Sequence, residues 1–565
     1  MDCKQIDKIN RKIQYAVAFI VSMLFVFLIW YKSGIYFETN DDRYINSLLS
    51  GVITGQPDAV VFHINYILSA PFAFLYRLSN KLPWYGLFLT GLYLFGYWVL
   101  LDSLYAKCKT YLEMTGATIL GGITCISFWY LLGQIQFTSA TIFIASVGYA
   151  CLILDRDQKH CFIKFFICEI LAVLWRKEAM LLVQPIGLGT YFCLLFLMKK
   201  YNVKDKLQKY GCVCGWIVIT LLLEFMGTLI GGYTGSALNE FQHFSQDRAL
   251  LFDYHQIPAY DEIADILQKH NVSREMYDGY LNYNTISYDI SVDCQKEIVQ
   301  YVSERQPYQI KNIFSGLISL YTKEQPWGIN KLSLLFLITI LILAIYTKDL
   351  PTICGVIGME CGKLVVWGFL FYRGRVLNRV SIPLFFCETI ILLSLLFYNL
   401  AQLDLRSWVK YMISSAILLS SLFFGFSSAR QQYRYIHEIN EGQQIYMNGL
   451  REIIDYCREH ENYHFILDST SVSYYKGSAF ETDIYRPGNY IISGGWFAAL
   501  PSVRRHVTEF VSSQDGIYLV INSENNPNVE AILGYYRYLT GNEPVLIDQI
   551  NTSIGGIYDV MYYSY

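Results

Sequence analysis

Two adjacent carboxylates, Asp41 and Asp42, follow the first long apolar run of the chain, and Glu38 lies shortly before them. Neighbouring carboxylates repel each other, so a pair held at a membrane surface indicates a cation, a phosphate-bound metal or a proton to be abstracted. A carboxylate within hydrogen-bond reach of a hydroxyl can act as a general base. We therefore predict catalytic roles for Asp41 and Asp42 and a substrate contact for Glu38. The alternative is a solvated acidic loop that only helps to set the topology of the chain.

A second set of candidate residues is cationic and consists of Arg373, Arg375 and Arg379. These arginines follow an apolar run at the end that the predicted topology assigns to the outside, where positive charge is uncommon. Cations that are kept there need an anion, and the planar fork of arginine suits phosphate oxygens. We predict that they bind a phosphate of the substrate. The alternatives are anchoring to lipid head groups or pairing with Glu388.

A third set, Arg176 and Glu178, lies between two further apolar runs. A basic and an acidic residue this close in sequence can form a structural ion pair or can contact a substrate. We retain both interpretations and include the two residues among the predicted substrate contacts.

The composition identifies the kind of protein that must position these residues. Of 565 residues, 53% are hydrophobic and 16% are charged, whereas an average soluble domain has about 25% charged residues. Lysine and arginine number 44 and aspartate and glutamate 47, giving a net charge of −3 and no sign of a nucleic-acid partner. The sequence therefore predicts a mainly α-helical, polytopic membrane protein with membrane lipids as partners.

Eleven apolar runs are long enough to cross about 30 Å of hydrocarbon. They cover residues 14–31, 84–101, 114–132, 135–154, 162–176, 179–198, 211–231, 331–347, 351–371, 381–399 and 408–426.

The distribution of basic residues predicts the sidedness of these spans. Lys4, Lys8, Arg11 and Lys12 precede the first run, which lacks a small-residue cleavage site, so we predict an uncleaved anchor with a cytoplasmic N-terminus. The apolar segment 60–78 could also span. If it does not cross, nearly all later basic loops fall inside, as the positive-inside rule requires. We therefore predict that 60–78 is an outer juxtamembrane helix and that the C-terminus is extracytoplasmic, in a multi-pass protein of the plasma membrane.

This topology divides the chain into four predicted regions. The fourth region, at the C-terminal end, is predicted to be a small α/β domain with a helix at 440–459 and strands at 464–467, 516–521, 544–547 and 557–562. The regions are a catalytic transmembrane module at 1–231 with its first outer loop at 32–83, an extracytoplasmic helical loop at 232–330, further transmembrane helices at 331–427, and the α/β domain at 428–565.

The first outer loop and the predicted topology resemble the GT-C superfamily of integral-membrane glycosyltransferases. That superfamily has an acidic motif in the first outer loop, juxtamembrane helices in the same loop and a bundle that begins with seven spans. The residues that carry the resemblance are the ETNDD stretch, Ser50, Gly51, Thr54, Gly55, Pro57, Asn65 and Pro83-Trp84-Tyr85.

The resemblance implies a sugar donor on polyprenyl phosphate or diphosphate and a glycan, lipid or protein acceptor outside the cytoplasm. It implies that Asp41 or Asp42 deprotonates the acceptor hydroxyl, that the arginines neutralise the leaving phosphate, and that direct displacement inverts the anomeric centre. We favour Asp41 as the base, because consecutive side chains diverge and Asp42 could cap a helix beginning near Tyr44. No cofactor is certain, and members of the superfamily differ in their need for a divalent ion such as Mg or Mn, so metal ligands stay unknown.

Other functional classes fit parts of the sequence. A polysaccharide polymerase would also place arginines outside and bind prenyl diphosphate. A lipid-linked sugar transporter should show repeat symmetry and ionisable groups at mid-membrane. A structural or sensory membrane protein would tolerate neutralisation of both charged clusters.

Overall fold

The computed structural model describes residues 10–158, 161–232, 235–283, 290–306, 310–403, 406–472, 475–482, 484, 486, 488–512, 516–524, 526–553 and 556–564. Lys4 and Lys8, on which the predicted N-terminal orientation partly depends, lie outside these residues.

Helices make up most of the chain, and the longer strands lie near its C-terminus. The first elements are α1 Arg11–Ser33, β1 Tyr36–Phe37, α2 Asn40–Ser50, α3 Tyr66–Leu78, α4 Trp84–Tyr105, α5 Tyr111–Ile126, α6 Tyr130–Gly133, β2 Gln134–Ile135, α7 Phe137–Leu154, α8 Cys161–Leu197 and α9 Val203–Ile230. The middle elements are α10 Ser236–Tyr254, α11 Ala264–Lys269, α12 Arg274–Leu281, α13 Val292–Arg305, α14 Lys311–Thr322, α15 Asn330–Thr347, α16 Leu350–Arg373 and α17 Asn378–Gln402. The last elements are α18 Ser407–Glu459, β3 Phe465–Asp468, α19 Ser469–Val472, β4 Tyr490–Ser493, α20 Pro501–Ser512, β5 Gly516–Asn522, α21 Val529–Thr540, β6 Val545–Asn551 and β7 Ile557–Ser564.

Nine helices in the described part of the chain are long and apolar enough to cross a membrane, namely α1, α4, α7, α8, α9, α15, α16, α17 and α18. The predicted fold class, a mainly helical protein with many spans and a small sheet near the C-terminus, is confirmed. The predicted run 114–132 corresponds to the 16-residue α5 and part of α6. Segment 60–78 contains the 13-residue α3, which is about 20 Å long and too short to cross the hydrocarbon core.

Helix α8 contains both predicted runs 162–176 and 179–198. Arg176 interrupts it with an extended backbone (φ −164°, ψ 104°). The Gln184 amide donates a hydrogen bond of 3.0 Å to the Glu169 carboxylate, although a straight helix would separate residues this far apart in sequence by about 22 Å. The two halves of α8 therefore fold back on each other as a hairpin with its turn at Arg176.

The described chain forms two compact units. One unit, which we call the span unit, comprises the described residues of Met1–Tyr36, Gly86–Met226 and Gln309–Glu438. The other, the sheet unit, comprises those of Phe37–Tyr85, Gly227–Tyr308 and Ile439–Tyr565. The first predicted outer loop, the predicted helical loop and most of the predicted α/β domain thus belong to one unit. The division of the sequence into four regions stays a prediction.

Close backbone contact joins α8 to α16 within the span unit. A Cβ atom at Gly358 would clash with the carbonyl oxygen of Gly189, and one at Gly189 would clash with the carbonyl oxygen of Gly358. Small residues permit this approach, which provides the van der Waals contact that holds helices together in lipid. Helix α7, the most buried of the spans, packs against α8 and α17.

The sheet unit is built around a five-stranded mixed sheet with the order β4-β3-β5-β7-β6. Strands β4, β3 and β5 are parallel, whereas β7 is antiparallel to both β5 and β6. Strands β3, β5, β6 and β7 overlap with the four predicted strands, and β6 extends four residues beyond its prediction. Strand β4 was not predicted. The predicted helix 440–459 is the last part of α18, a continuous helix of 53 residues.

Candidate active site

The acidic pair lies in the first turn of α2. Thr39 is the N-cap and Asn40 the first helical residue, so the prediction that the helix begins near Tyr44 and is capped by Asp42 is wrong. The helix ends at Gly51, which has a φ of 90°. Carboxylates in the first helical turn are stabilised by the helix dipole. Asp41 and Asp42 therefore lie in an α-helix and not in an irregular acidic loop.

Asp42 is fully buried, and each of its carboxylate oxygens accepts a hydrogen bond within the sheet unit. The Tyr85 hydroxyl donates to its Oδ1 at 2.8 Å, and the Thr39 hydroxyl donates to its Oδ2 at 3.2 Å. Tyr85 in turn packs against Phe37 and Phe72. A carboxylate that is enclosed and bonded in this way holds α2 in place, and it leaves little room for an acceptor hydroxyl.

Asp41 has different surroundings. Its side chain is half-buried, and it accepts no hydrogen bond from any residue in the described part of the chain. Burial is the main cause of the raised pKa of Tyr44 and of Tyr283, and the negative charge of Asp41 adds a smaller increase to each. Asp41 therefore lies near two phenol groups with its own oxygens available.

Arg43 fastens α2 to the carboxyl end of the parallel strands. Arg43 is 1% exposed, and its Nη1 donates to the carbonyl oxygens of Val472 at 2.7 Å and Tyr475 at 2.9 Å. It also lies over the ring of Tyr44, 4.5 Å from the centroid. Hydrogen bonds from a charged donor are stronger than neutral ones, so Arg43 is a firm link between the acidic helix and the segment that follows β3.

Asp468, at the end of β3, is another buried carboxylate near this helix. Its Oδ2 accepts hydrogen bonds from the hydroxyls of Thr470 and Ser471, each at 2.6 Å, and from the Ser471 backbone at 2.7 Å. Burial raises the pKa of Asp468, and these hydrogen bonds partly lower it. The Asp468 charge also contributes to the raised pKa of Tyr44. The carboxyl ends of parallel strands commonly form ligand sites in open α/β sheets.

The middle segment of the chain completes this site. The backbone N–H of Gly495, shortly after β4, donates to the carbonyl oxygen of Tyr283 at 2.7 Å. Arg248 of α10 lies 5.8 Å from the centroid of the Tyr283 ring, and its charge partly lowers the pKa of that phenol. Residues of α2, of the segment after α12 and of the sheet therefore meet around Asp41. Glu38 is buried just before α2, after β1.

The three arginines of the second set belong to the span unit. Arg373 ends α16 and precedes Gly374, which has a left-handed backbone with a φ of 70°. Arg375 lies in the connection to α17, and Arg379 is in the first turn of that helix. All three side chains are half-buried.

The alternative partner for these arginines is excluded. Glu388 forms a buried ion pair with Lys363 of α16 at 2.9 Å. Glu360, which lies one turn before Lys363 on the same helix, also has a local partner, because the Tyr321 hydroxyl donates a hydrogen bond of 2.7 Å to it.

Arg176 and Arg379 are brought together at the start of α7. The Arg176 guanidinium donates to the Thr138 hydroxyl at 2.7 Å, and the neighbouring Ser139 hydroxyl donates to the carbonyl oxygen of Arg379 at 2.9 Å. Glu178 is exposed, and its carboxylate lies 4.0 Å from Arg176. The Arg176 side chain and the Arg379 backbone therefore contact adjacent residues at the start of α7, and Glu178 lies beside Arg176.

Sequence reasoning missed several residues of the site. Arg43, Tyr85 and Asp468 were not predicted, although Arg43 directly follows the acidic pair. No group of three or more His, Cys, Asp or Glu side chains in the described residues could hold a metal ion. The acidic set belongs to the sheet unit and the predicted arginines to the span unit.

Comparison with known proteins gives little further assignment. No protein family model matches this chain, and no curated protein does so. Among solved structures, the chain is similar to ArnT from Cupriavidus metallidurans, whose crystal structure has undecaprenyl phosphate bound. The match has a probability of 1.00, a TM-score of 0.39 and 9% sequence identity, and it covers 97% of this chain and 98% of ArnT. At this TM-score the match assigns neither a family nor an activity to the chain.

Proposed function

We propose that this chain is an integral-membrane glycosyltransferase of the plasma membrane. It transfers a sugar from a polyprenyl phosphate or diphosphate to an extracytoplasmic glycan, lipid or protein, with inversion. The observation that carries the proposal is the difference between the two adjacent carboxylates. Asp42 is enclosed and hydrogen-bonded, whereas the oxygens of Asp41 accept no hydrogen bond from a described residue. A base and a neighbouring positioning residue are what an acid–base mechanism needs.

In the proposed reaction, Asp41 takes the proton of the acceptor hydroxyl. The acceptor oxygen attacks the anomeric carbon, the bond from that carbon to the phosphate oxygen breaks, and the polyprenyl phosphate or diphosphate leaves with the electron pair. Attack from the face opposite the leaving group inverts the centre. The proposed groups that offset the developing phosphate charge are Arg373, Arg375, Arg379 and Arg176. The Arg176 side chain and the Arg379 backbone contact adjacent residues of α7. Glu38 and Glu178 are the proposed polar contacts to the sugars.

The transporter alternative has less support from the structure. A transporter would use ionisable groups at mid-membrane, and acidic residues do occur within the spans. Each of these acids has a local partner in the span unit: Glu169 with Gln184, Glu224 with Lys177, Glu360 with Tyr321, and Glu388 with Lys363. Such local pairing is typical of structural contacts between helices.

The test compares Asp41→Asn with Asp42→Asn in membranes that contain equal amounts of each variant. Transfer is measured as release of polyprenyl phosphate from a panel of undecaprenyl-phosphate-linked hexoses and pentoses. A positioned base contributes about 10²–10⁴-fold in rate, so Asp41→Asn should lose nearly all turnover. Asp42→Asn should lose less, and both should bind undecaprenyl phosphate normally. If both variants kept full transfer activity, the catalytic role of the acidic pair would be wrong, and the pair would only help to set the topology of the chain.

A further inference from the structure

A cavity of about 450 Å³ lies among α5, α17 and the start of α18. All of its lining residues belong to the span unit. Its wall is largely apolar and includes Leu112, Leu120, Phe397, Leu400 and Leu418. This volume is in the range of about 300–1,000 Å³ that is typical of small-molecule sites. Because the wall is apolar, the cavity favours a ligand with a hydrocarbon part.

Three lysines give this apolar cavity a basic rim, namely Lys107, Lys109 and Lys410. Lys107 forms an ion pair with Asp155 at 3.5 Å. Lys109 and Lys410 form no ion pair with a described residue. The acidic lining residue, Glu113, accepts a hydrogen bond of 2.6 Å from the backbone N–H of Lys109. The excess of positive charge selects an anion at the mouth of the cavity.

The length of α17 separates this cavity from the predicted arginines. Arg379 is in the first turn of the helix and Ala401, which lines the cavity, is in the last. The rise of an α-helix puts these residues about 33 Å apart, which matches the hydrocarbon thickness of about 30 Å. The cavity therefore lies at the opposite membrane surface from Arg379, the surface that the basic residues predict to be cytoplasmic.

We propose that this cavity binds an anionic phospholipid of the surrounding bilayer. The phosphate lies between Lys109 and Lys410, and an acyl chain lies along the apolar wall. Basic pockets between transmembrane helices bind acidic lipid head groups in this way. The apolar wall disfavours free phosphate, and the distance from Arg379 disfavours the proposed donor lipid.

The experiment is native mass spectrometry of the purified full-length chain in detergent. Dioleoyl phosphatidylglycerol and dioleoyl phosphatidylcholine are added separately to the unmodified chain, to Lys109→Gln/Lys410→Gln and to Lys199→Gln/Lys204→Gln. The last variant is the matched control, because it removes two exposed lysines where α8 ends and α9 begins. Phosphatidylglycerol should bind Lys109→Gln/Lys410→Gln roughly 10-fold to 30-fold more weakly than it binds the control variant. Phosphatidylcholine should bind both variants with similar affinity.

A second variant separates the cavity from its charges. Gly116 lines the cavity, and a Cβ atom there meets no atom within 4 Å. Gly116→Leu adds an apolar side chain at the cavity wall from a position with space for its Cβ atom, and it should weaken phosphatidylglycerol binding with all lysines present. Equal phosphatidylglycerol binding by the two lysine variants, or unchanged binding by Gly116→Leu, would overturn the proposal. Displacement of the bound lipid by equimolar undecaprenyl phosphate, or by inorganic phosphate, would also overturn it.

Discussion

Asp41 and Asp42 illustrate how neighbouring residues acquire different properties from one helix. Successive side chains on an α-helix point about 100° apart, so only one of the two can face the buried hydroxyl of Tyr85. Asp42 takes that position and is enclosed. Asp41 points to a less enclosed place near Tyr44 and Tyr283. Two residues of the same type can thus hold a helix in place and offer a reactive oxygen.

Tyr85→Phe should weaken the structure around Asp42. The change removes the 2.8 Å hydrogen bond to a buried carboxylate, and a buried charged group that loses a donor costs about 1–3 kcal/mol or more. We expect a lower thermal unfolding midpoint of the purified chain and a moderate loss of transfer. Tyr277→Phe is the matched control, because Tyr277 is also buried and its hydroxyl donates to the neutral carbonyl oxygen of Pro258 at 2.8 Å. A smaller effect of Tyr85→Phe than of Tyr277→Phe would contradict the structural role of Asp42.

Arg379→Lys should impair phosphate binding although the charge is kept, because an ammonium lacks the planar fork of arginine. The loss of one charge-assisted hydrogen bond is worth about 1.5–3 kcal/mol, so the Kd for undecaprenyl phosphate should rise roughly 10-fold to 100-fold. Arg375→Lys should behave in the same way. Arg406→Lys, at an exposed position beyond the other end of α17, should leave the Kd unchanged. Unaltered binding by the Lys and Ala variants of both arginines would assign them to lipid anchoring.

At the scale of elements, α2 is positioned mainly by contacts outside its own sequence. Arg43 bonds to the segment after β3, and the ring of Tyr44 packs 4.5 Å from that of Phe497. An isolated helix of 11 residues is marginal in water. Its conformation therefore depends on the sheet, and the sheet is part of the candidate site even though the catalytic candidates precede it by more than four hundred residues.

Arg43→Met tests this dependence. The change removes two hydrogen bonds from a buried guanidinium, with an expected loss of about 3 kcal/mol in the free energy of unfolding. Thermal unfolding of the purified full-length chain and transfer activity should both decrease. Arg505→Met, at an exposed position of the same unit, is the control and should change neither. Full activity with unchanged stability in Arg43→Met would show that α2 is positioned without the sheet.

For the molecule as a whole, apolar runs predicted the spans well because the hydrocarbon core imposes a length and a composition. Pairing between helices was not predictable in the same way. The Lys363–Glu388 ion pair joins two helices whose relative rotation is set by packing, which leaves no periodic signal in the sequence. Strand β4 has only four residues, too few for an alternating pattern. The start of α2 was placed too late because Thr39 was not recognised as its N-cap.

Cysteine labelling in intact cells tests the predicted sidedness. Lys81→Cys, Asn542→Cys and Lys204→Cys introduce thiols at exposed positions, and a membrane-impermeant maleimide mass tag reports which are outside. The positive-inside rule predicts labelling of the first two variants in intact cells and of the third only after lysis. The unmodified chain is the control for its native cysteines. Labelling of Lys81→Cys only after lysis would mean that segment 60–78 crosses the membrane.

The hairpin of α8 has a consequence for how the chain is made. A charged side chain at the centre of a lone apolar helix costs about 3 kcal/mol on insertion from the ribosome-bound translocon. Glu169 lies within the first half of α8, and its hydrogen-bond donor Gln184 is in the second half of the same element. Both halves emerge within a few seconds of each other at ordinary rates of synthesis. Glu169 can therefore leave the translocon already bonded, and the two halves can enter the lipid as one body before any later span exists.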